Sequence, residues 1–212
     1  MAAAVPHHFG FYAILTNPAA GYEYCARLCV DNGIAFVQLR MKNVPKDDIA
    51  RMAAKLRKIT ARGVTRFIVN DHPDIAAQVG ADGVHVGQSD TPYADARSTV
   101  GDRSIVGIST HTPAQTREAC ALKPDYVGVG PVFATPTKEI RDTPIGTDGM
   151  REMLSLATVP AVVLGSITTE NLPQILETGA KNFAMVRPLN QTEEPEKALR
   201  EILRVYNAFV PM

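Results

Sequence analysis

Asp71 and Asp90 are the residues of this sequence best placed to do chemistry together. Each follows a short apolar run that reads as a β-strand. Phe67, Ile68 and Val69 precede Asn70-Asp71-His72-Pro73; Val84, His85 and Val86 precede Gly87-Gln88-Ser89-Asp90. Between the runs, Ile75, Ala76, Ala77 and Val79 recur at helical spacing, with Pro73 able to open that helix and Gly80 to close it. A connection that holds a helix makes its flanking strands parallel neighbours. Both carboxylates then emerge at strand C-termini, the edge where ligands bind in parallel α/β proteins. Placed so, they can hold a hard cation such as Mg²⁺, which takes one or two carboxylates from protein and fills its remaining positions with water and phosphate oxygens. The plainer reading makes Asp71 the cap of the helix after Pro73 and Asp90 the cap of the one after Pro92. The two residues alone leave both readings open.

The other strand ends add to the pair. Gln38, Arg40 and Lys42 follow one strand, Asn70 and Gln88 flank the aspartates, and Ser109 and His111 follow a later strand. Thr135, Thr137 and Lys138 lie in the longest loop, Pro131 to Thr147; Gly165-Ser166 and Arg187 follow the last two strands. Cations, amides and hydroxyls around two carboxylates suit a phosphorylated ligand bridged by a divalent ion. Arg40 can grip phosphate with its planar fork, and the lysines act as point charges. Gly165-Ser166 and the helix start beyond match the phosphate site that barrels build from their last loops. Each has a plainer role: solvated charge for Arg40 and Lys42, turn residue for Asn70, strand packing for His85. No Ser–His–Asp set and no zinc-type Cys/His spacing is present, which argues against nucleophilic and zinc chemistry. Cys25 and Cys29, four apart on one helix face, read as buried thiols.

The elements that must position these residues alternate regularly. Apolar strands are expected at Phe11–Thr16, Ala35–Arg40, Phe67–Val69, Val84–Val86, Ser104–Ser109, Asp125–Gly130, Pro160–Leu164 and Phe183–Val186. Helical patterns follow each, among them Tyr22–Val30, a long one from Pro45 to Gly63, Met150–Leu156, Thr168–Thr178 and Pro195–Phe209. Continuous apolar strands are buried on both faces. Eight βα units over residues 1–212 therefore predict one α/β domain, a (β/α)₈ barrel. An open doubly wound sheet is weakened by the lack of a Gly-x-Gly-x-x-Gly turn after the first strand.

Composition narrows the partners. Lys+Arg and Asp+Glu balance at 22 each in 212 residues, so no bulk field draws nucleic acid or an anionic membrane. No apolar run reaches membrane-spanning length, and no basic region precedes the apolar residues of the N-terminus. A cytoplasmic protein acting on small molecules is expected, and the sequence leaves room for a homo-oligomer.

The motifs Gln38-Leu39-Arg40-x-Lys42, Asn70-Asp71, Gly83-Val84-His85-x-Gly87-Gln88-x-Asp90, Gly107-x-Ser109-x-His111 and Asp125-Tyr126-x-Gly128-x-Gly130-Pro131-x-Phe133-x-Thr135-x-Thr137-Lys138 occur in this order. Modest singly and specific together, they resemble thiamine-phosphate synthase over nearly the whole chain. The resemblance implies a (β/α)₈ barrel transferase that joins a hydroxymethylpyrimidine diphosphate to a thiazole phosphate and releases diphosphate. It implies that Gln38, Leu39, Arg40, Met41, Lys42, Asn70, Ser109 and Lys138 hold the pyrimidine diphosphate, with Arg40, Lys42, Ser109 and Lys138 taking part in catalysis. Asp71 and Asp90 would bind Mg²⁺; Thr135, Pro136, Thr137, Gly165, Val186 and Arg187 would line the thiazole-phosphate side. The chain departs from the family's pattern at Ser166, usually glycine, at Arg187-Pro188, usually Ser-Ala, and at Pro136. The first two departures fall on the acceptor side. Related thiazole tautomerases share the barrel but place a histidine where this chain has Pro131. A non-catalytic barrel that binds a thiamine precursor would have no need for the paired aspartates.

Overall fold

The computed structural model describes residues 4–61, 63–134 and 143–209. Its strands are β1 (Gly10–Leu15), β2 (Phe36–Leu39), β3 (Arg66–Asn70), β4 (Gly83–Val86), β5 (Ile105–Thr110), β6 (Tyr126–Val129), β7 (Ala161–Val163) and β8 (Asn182–Met185). They pair in parallel in sequence order, and β8 closes onto β1 through Phe11 opposite Phe183, so the chain is a closed (β/α)₈ barrel. The helices are α1 (Tyr22–Asp31), α2 (Lys46–Thr60), α3 (Pro73–Val79), α4 (Tyr93–Val100), α5 (Pro113–Ala121), α6 (Gly146–Leu156), α7 (Leu172–Glu177), α8 (Arg187–Asn190) and α9 (Pro195–Phe209). None is long and apolar enough to cross a membrane.

The sequence pattern places every strand to within a residue or two. It misses α8, a single turn directly after β8. It also starts α7 too early: there Asn171 accepts a hydrogen bond from the Thr168 N–H and donates one to the Ser166 carbonyl, holding residues 166–171 as a turn. α6 begins earlier than its apolar residues suggest, at Gly146. Pro73 opens α3 and Gly80, left-handed at φ 64°, ends it.

Strand periodicity sorts side chains into two cores. Outward residues such as Val37, Leu39, Val69, Val84 and Val106 meet the helices, whose stripes on α2 and α9 supply Ile49, Leu56, Leu199 and Ile202. Inward residues fill the barrel with Tyr12, Phe36, Ile68, Ile105, Tyr126 and Val162. Gly107 on β5 is required by the second set: a Cβ there would stand 2.2 Å from the Tyr126 ring. Cys25, Cys29 and Cys120 are buried free thiols.

The strand N-termini are pinned by side chains from neighbouring segments. The Asp82 carboxylate accepts from the Phe67 N–H at 2.8 Å and from Arg57 at 3.1 Å. Asp125 does the same for the Val106 N–H at 2.8 Å and Arg97 at 2.5 Å. Asn182 accepts from the Phe9 and Gly10 N–H groups and donates to the His7 and Ala161 carbonyls, closing β1 against β8.

Candidate active site

At the opposite end a cavity of about 700 Å³ opens over the strand C-termini. Gln38, Arg40, Lys42, Asn70, Asp71, Gln88, Asp90, Ser109, Gly165, Ser166, Val186 and Arg187 line it, from six of the eight strand ends. The fold therefore gathers most of the residues singled out by type and spacing. Met41 sits beside this cavity, on an adjoining one of about 590 Å³ that shares Lys42, Asp71 and Asp90.

Leu39 points its side chain outward into the core beneath the helices and is 1% exposed, so only its backbone could take part in a site at the barrel mouth. Strand alternation sends Gln38 inward and Leu39 the other way. Thr135, Pro136, Thr137 and Lys138 lie outside the described residues.

Neither aspartate caps a helix. The N-cap positions are His72 for α3 and Pro92 for α4, each without a side-chain capping bond. Asp71 instead holds a left-handed backbone at φ 64°, a conformation that aspartate tolerates better than most residues, with its N–H on the His85 carbonyl at 2.8 Å. Asp90 turns back to accept from the Gly87 N–H at 2.8 Å. The two carboxyls then face each other, and Lys42 forms an ion pair with Asp71. Burial pushes the Asp71 carboxyl above the usual range, and Asp90 pushes it further against the pull of Lys42. Burial also works against the Asp90 carboxylate, but the hydrogen bond with Asp71, the Gly87 N–H and Lys42 hold it below that range. Two carboxyls whose ranges are pushed apart in this way offer oxygen ligands to a cation. Among the described residues no cluster of three or more His, Cys, Asp or Glu exists. A pair of oxygen ligands with open space beside it fits magnesium, which keeps waters and substrate phosphate oxygens in its shell.

The rest of the site is set by short local bonds. Gln88 Nε2 donates to the Ser109 carbonyl at 2.6 Å. The His111 N–H donates to Gln115 Oε1 at 2.7 Å and its Nδ1 meets the Gly130 carbonyl at 2.6 Å, which holds the ring against the β5–β6 edge. On the far side, a Cβ at Gly165 would stand 2.5 Å from the Pro131 Cα, so glycine lets the β7 loop lie against the β6 loop. Ser166 follows at φ 51°, its buried hydroxyl without a partner among the described residues. Arg187 is the first residue of α8, half-buried, with its guanidinium unpaired by any described side chain.

Beneath the cavity lies a polar chain that residue types did not announce. Gln38 Nε2 donates to the Tyr12 hydroxyl at 3.0 Å, Tyr12 and Tyr126 hydroxyls meet at 2.9 Å, Tyr126 meets His85 Nδ1 at 2.9 Å, and His85 Nε2 meets Ser109 Oγ at 2.8 Å. His85 was expected merely to pack within its strand. It stacks on Tyr126 inside the barrel, with ring centroids 5.5 Å apart, and burial brings its pKa down to about 4. Burial raises both tyrosines above their usual range. The motif Gly107-x-Ser109, with its missing side chain opposite Tyr126, was the available signal.

Comparison with known proteins gives the chain its context. A profile of the family described as thiamine monophosphate synthase matches residues 12–189. A thiamine-phosphate synthase of Gloeobacter violaceus is 42% identical over 175 residues, covering 82% of this chain and 51% of that protein. One of Pelotomaculum thermopropionicum is 39% identical over 177 residues, covering 82% of this chain and 81% of the relative. The chain thus spans about half the length of the first relative and most of the second. Among solved structures, thiamine phosphate pyrophosphorylase from Pyrococcus furiosus superposes with a TM-score of 0.86 at 27% identity, over 95% of this chain and 97% of that one. A 3-hexulose-6-phosphate synthase, at 17% identity and TM-score 0.66, shares the fold.

Proposed function

The chain belongs to the thiamine monophosphate synthase family, and on that premise we propose that it joins a hydroxymethylpyrimidine diphosphate to a thiazole phosphate. The bond from the pyrimidine methylene to the diphosphate oxygen breaks, its electron pair leaves with diphosphate, and the thiazole nitrogen forms the new carbon–nitrogen bond. The products are thiamine phosphate and diphosphate. The observation that carries this reading is the pair of facing carboxylates at the barrel mouth with Arg40 and Lys42 beside them.

Arg40 and Lys42 would grip the diphosphate and stabilise the charge that grows on it as it departs. Lys138, assigned by its motif, would join them. Gln38, Asn70 and Ser109 would hold the pyrimidine end and orient its methylene towards the acceptor. Asp71 and Asp90 would hold Mg²⁺, which when bound supplies positive charge to the leaving diphosphate. Gly165, Val186 and Arg187 would receive the acceptor phosphate, Arg187 through its guanidinium. No step asks for a protein nucleophile. The pyrimidine's own amino group can feed electrons to the cationic methylene.

The test is turnover of purified protein with Mg²⁺, pyrimidine diphosphate and thiazole phosphate, quantifying both products. Equal amounts of thiamine phosphate and diphosphate are expected. Diphosphate released without thiamine phosphate would mean hydrolysis, and neither product would mean that the reaction class is wrong.

A further inference from the structure

The cavity floor holds a hydrogen-bonded chain that the proposed chemistry does not use. We propose that Tyr12, Tyr126 and His85 are positioning residues, a buried relay that fixes which polar group Gln38 and Ser109 present to the pyrimidine. The two residues then read the ligand as a matched pair. This rests on the proposal that Gln38 and Ser109 meet the pyrimidine end of the donor.

The direction of the chain follows from counting hydrogens. A phenol has one hydrogen to donate, and a neutral imidazole has one N–H. Gln38 Nε2 donates to Tyr12 at 3.0 Å, so the Tyr12 hydrogen goes to Tyr126, its other partner, at 2.9 Å. The Tyr126 hydrogen then goes to His85 Nδ1 at 2.9 Å. The single imidazole proton must sit on Nε2, donating to Ser109 Oγ at 2.8 Å. The hydroxyl hydrogen of Ser109 is left to point into the cavity, and Gln38 Oε1, which receives no bond from a described residue, is left to accept. Run the other way with the same Gln38 orientation, the chain strands the Tyr12 hydrogen without an acceptor, which is unfavourable for a buried group.

Burial makes the order strict. Tyr12, Tyr126 and Gln38 are almost fully enclosed, so water cannot replace a missing partner. A charged imidazole, donating from both nitrogens to Tyr126 and Ser109, would strand one of the two enclosed phenol hydrogens, so the ring has one proton to place. A fully satisfied reverse order exists only if the Gln38 amide turns over. In that order Gln38 would donate to the ligand and Ser109 would accept from it. One end of the relay cannot change its polarity without the other, although Tyr12, Tyr126 and His85 stand between them.

The aminopyrimidine has complementary groups. Its exocyclic amine is a donor for Gln38 Oε1; its ring nitrogens and the diphosphate oxygens are acceptors for the Ser109 hydroxyl. A 4-oxo analogue, with a carbonyl where the amine stands, sets acceptor against acceptor. A site built to hydrogen-bond one group rejects the analogue lacking it by large factors, because its own buried group goes unpaired.

Nitrogen-15 NMR of the histidine rings tests the relay directly, with the His85 signals assigned by their loss in His85→Gln. The Nε2–H tautomer is expected in the wild-type protein, and an Nδ1–H or charged ring would overturn the proposal. Gln38→Glu, measured at alkaline pH where the new carboxylate can only accept, should reverse the order and move the proton to Nδ1. Adding Tyr126→Phe should abolish that response; a tautomer unmoved by Gln38→Glu would leave the tyrosines as packing alone. In turnover, Tyr12→Phe should lower the kcat/KM preference for the amino over the oxo pyrimidine diphosphate at least tenfold, with a smaller loss of kcat on the amino substrate. An unchanged preference would also overturn the relay. The tautomer readings need no activity, so failure of the wild-type protein to turn over would count against the proposed reaction and leave them standing.

Discussion

The two ends of this barrel use aspartate in opposite ways. At the strand N-termini, Asp82 and Asp125 each accept from a backbone N–H and an arginine, so both carboxylates are matched within the protein. At the C-termini, Asp71 and Asp90 face each other with one lysine for two carboxyls. The first arrangement lowers the energy of the fold. The second leaves Asp71 shifted upward by burial and by its like neighbour. The same residue type, at the two edges of one sheet, serves stability at one edge and, on the proposed reading, ligand binding at the other. Fold and chemistry can then be altered separately.

The largest expected effect tests the C-terminal end. Asp90→Ala and Asp71→Ala should each lower Mg²⁺-dependent kcat/KM by at least 100-fold, the scale of losing a group that stabilises developing charge. Thermal stability should hold within about 1 kcal/mol in Asp90→Ala and fall by about 1–2 kcal/mol in Asp71→Ala, where alanine must adopt the left-handed backbone at φ 64°. Turnover at limiting Mg²⁺, set beside a thermal melt, checks both halves. Full activity in both variants would remove the metal assignment, and a collapse in melting temperature would remove the contrast between the ends.

Next comes the N-terminal end. Asp125→Ala strips partners from the half-buried Arg97 and from the Val106 N–H, and should cost about 2–3 kcal/mol. That is a fall of roughly 5–10 °C in melting temperature for a chain of this size. At 25 °C, kcat and KM should stay within about twofold, since the pair lies at the far end of the strands. A selective loss of turnover would show that the two ends are coupled.

Only the C-terminal half of this contrast was legible in the sequence; nothing in it pointed to Asp82 and Asp125 as pins. The βα alternation fixed the fold, and one βαβ unit, Phe67 to Asp90, sufficed to put both aspartates on one edge. What could not be read was which residues meet across the barrel. Tyr12 and Tyr126 lie on strands far apart in sequence, and each looks like an ordinary strand aromatic until closure brings their hydroxyls to 2.9 Å. Leu39 shows the limit of a motif: it stands between Gln38 and Arg40, but alternation turns its side chain away from the barrel mouth. α8 went unseen because one turn carries no periodicity, although Asn190 ties it to β1 through the Thr16 N–H and the Ile14 carbonyl.

Between the ends sits His85, and its titration separates fold from ligand binding again. Its folded pKa of about 4 lies below the ordinary 6.5, so between those values the unfolded chain binds the proton more readily. Its contribution to stability is therefore full above pH 6.5, erodes as pH falls, and is gone near pH 4. The loss should total about 3 kcal/mol. Denaturant melts across this range should show a shallower acid slope in His85→Gln than in the wild type. Equal slopes would mean that His85 is protonated in the folded barrel.

The smallest effect is the control that gives the first its meaning. Lys46 and Asp74 form an ion pair at 2.9 Å on the rim beside Asp71, lining the adjoining cavity, with both side chains more than half exposed. Screened by water, such a pair is worth under about 1 kcal/mol. Lys46→Ala should shift stability by less than about 0.5 kcal/mol and KM for the pyrimidine diphosphate by less than about twofold. Lys42, on the same rim but bound to Asp71, should behave differently: Lys42→Ala should raise that KM about tenfold or more, because its charge is held at the carboxylate pair where the diphosphate is proposed to bind. Equal effects from the two lysines would mean that the rim acts as a diffuse positive field. The facing aspartates would then lose their claim to organise the site.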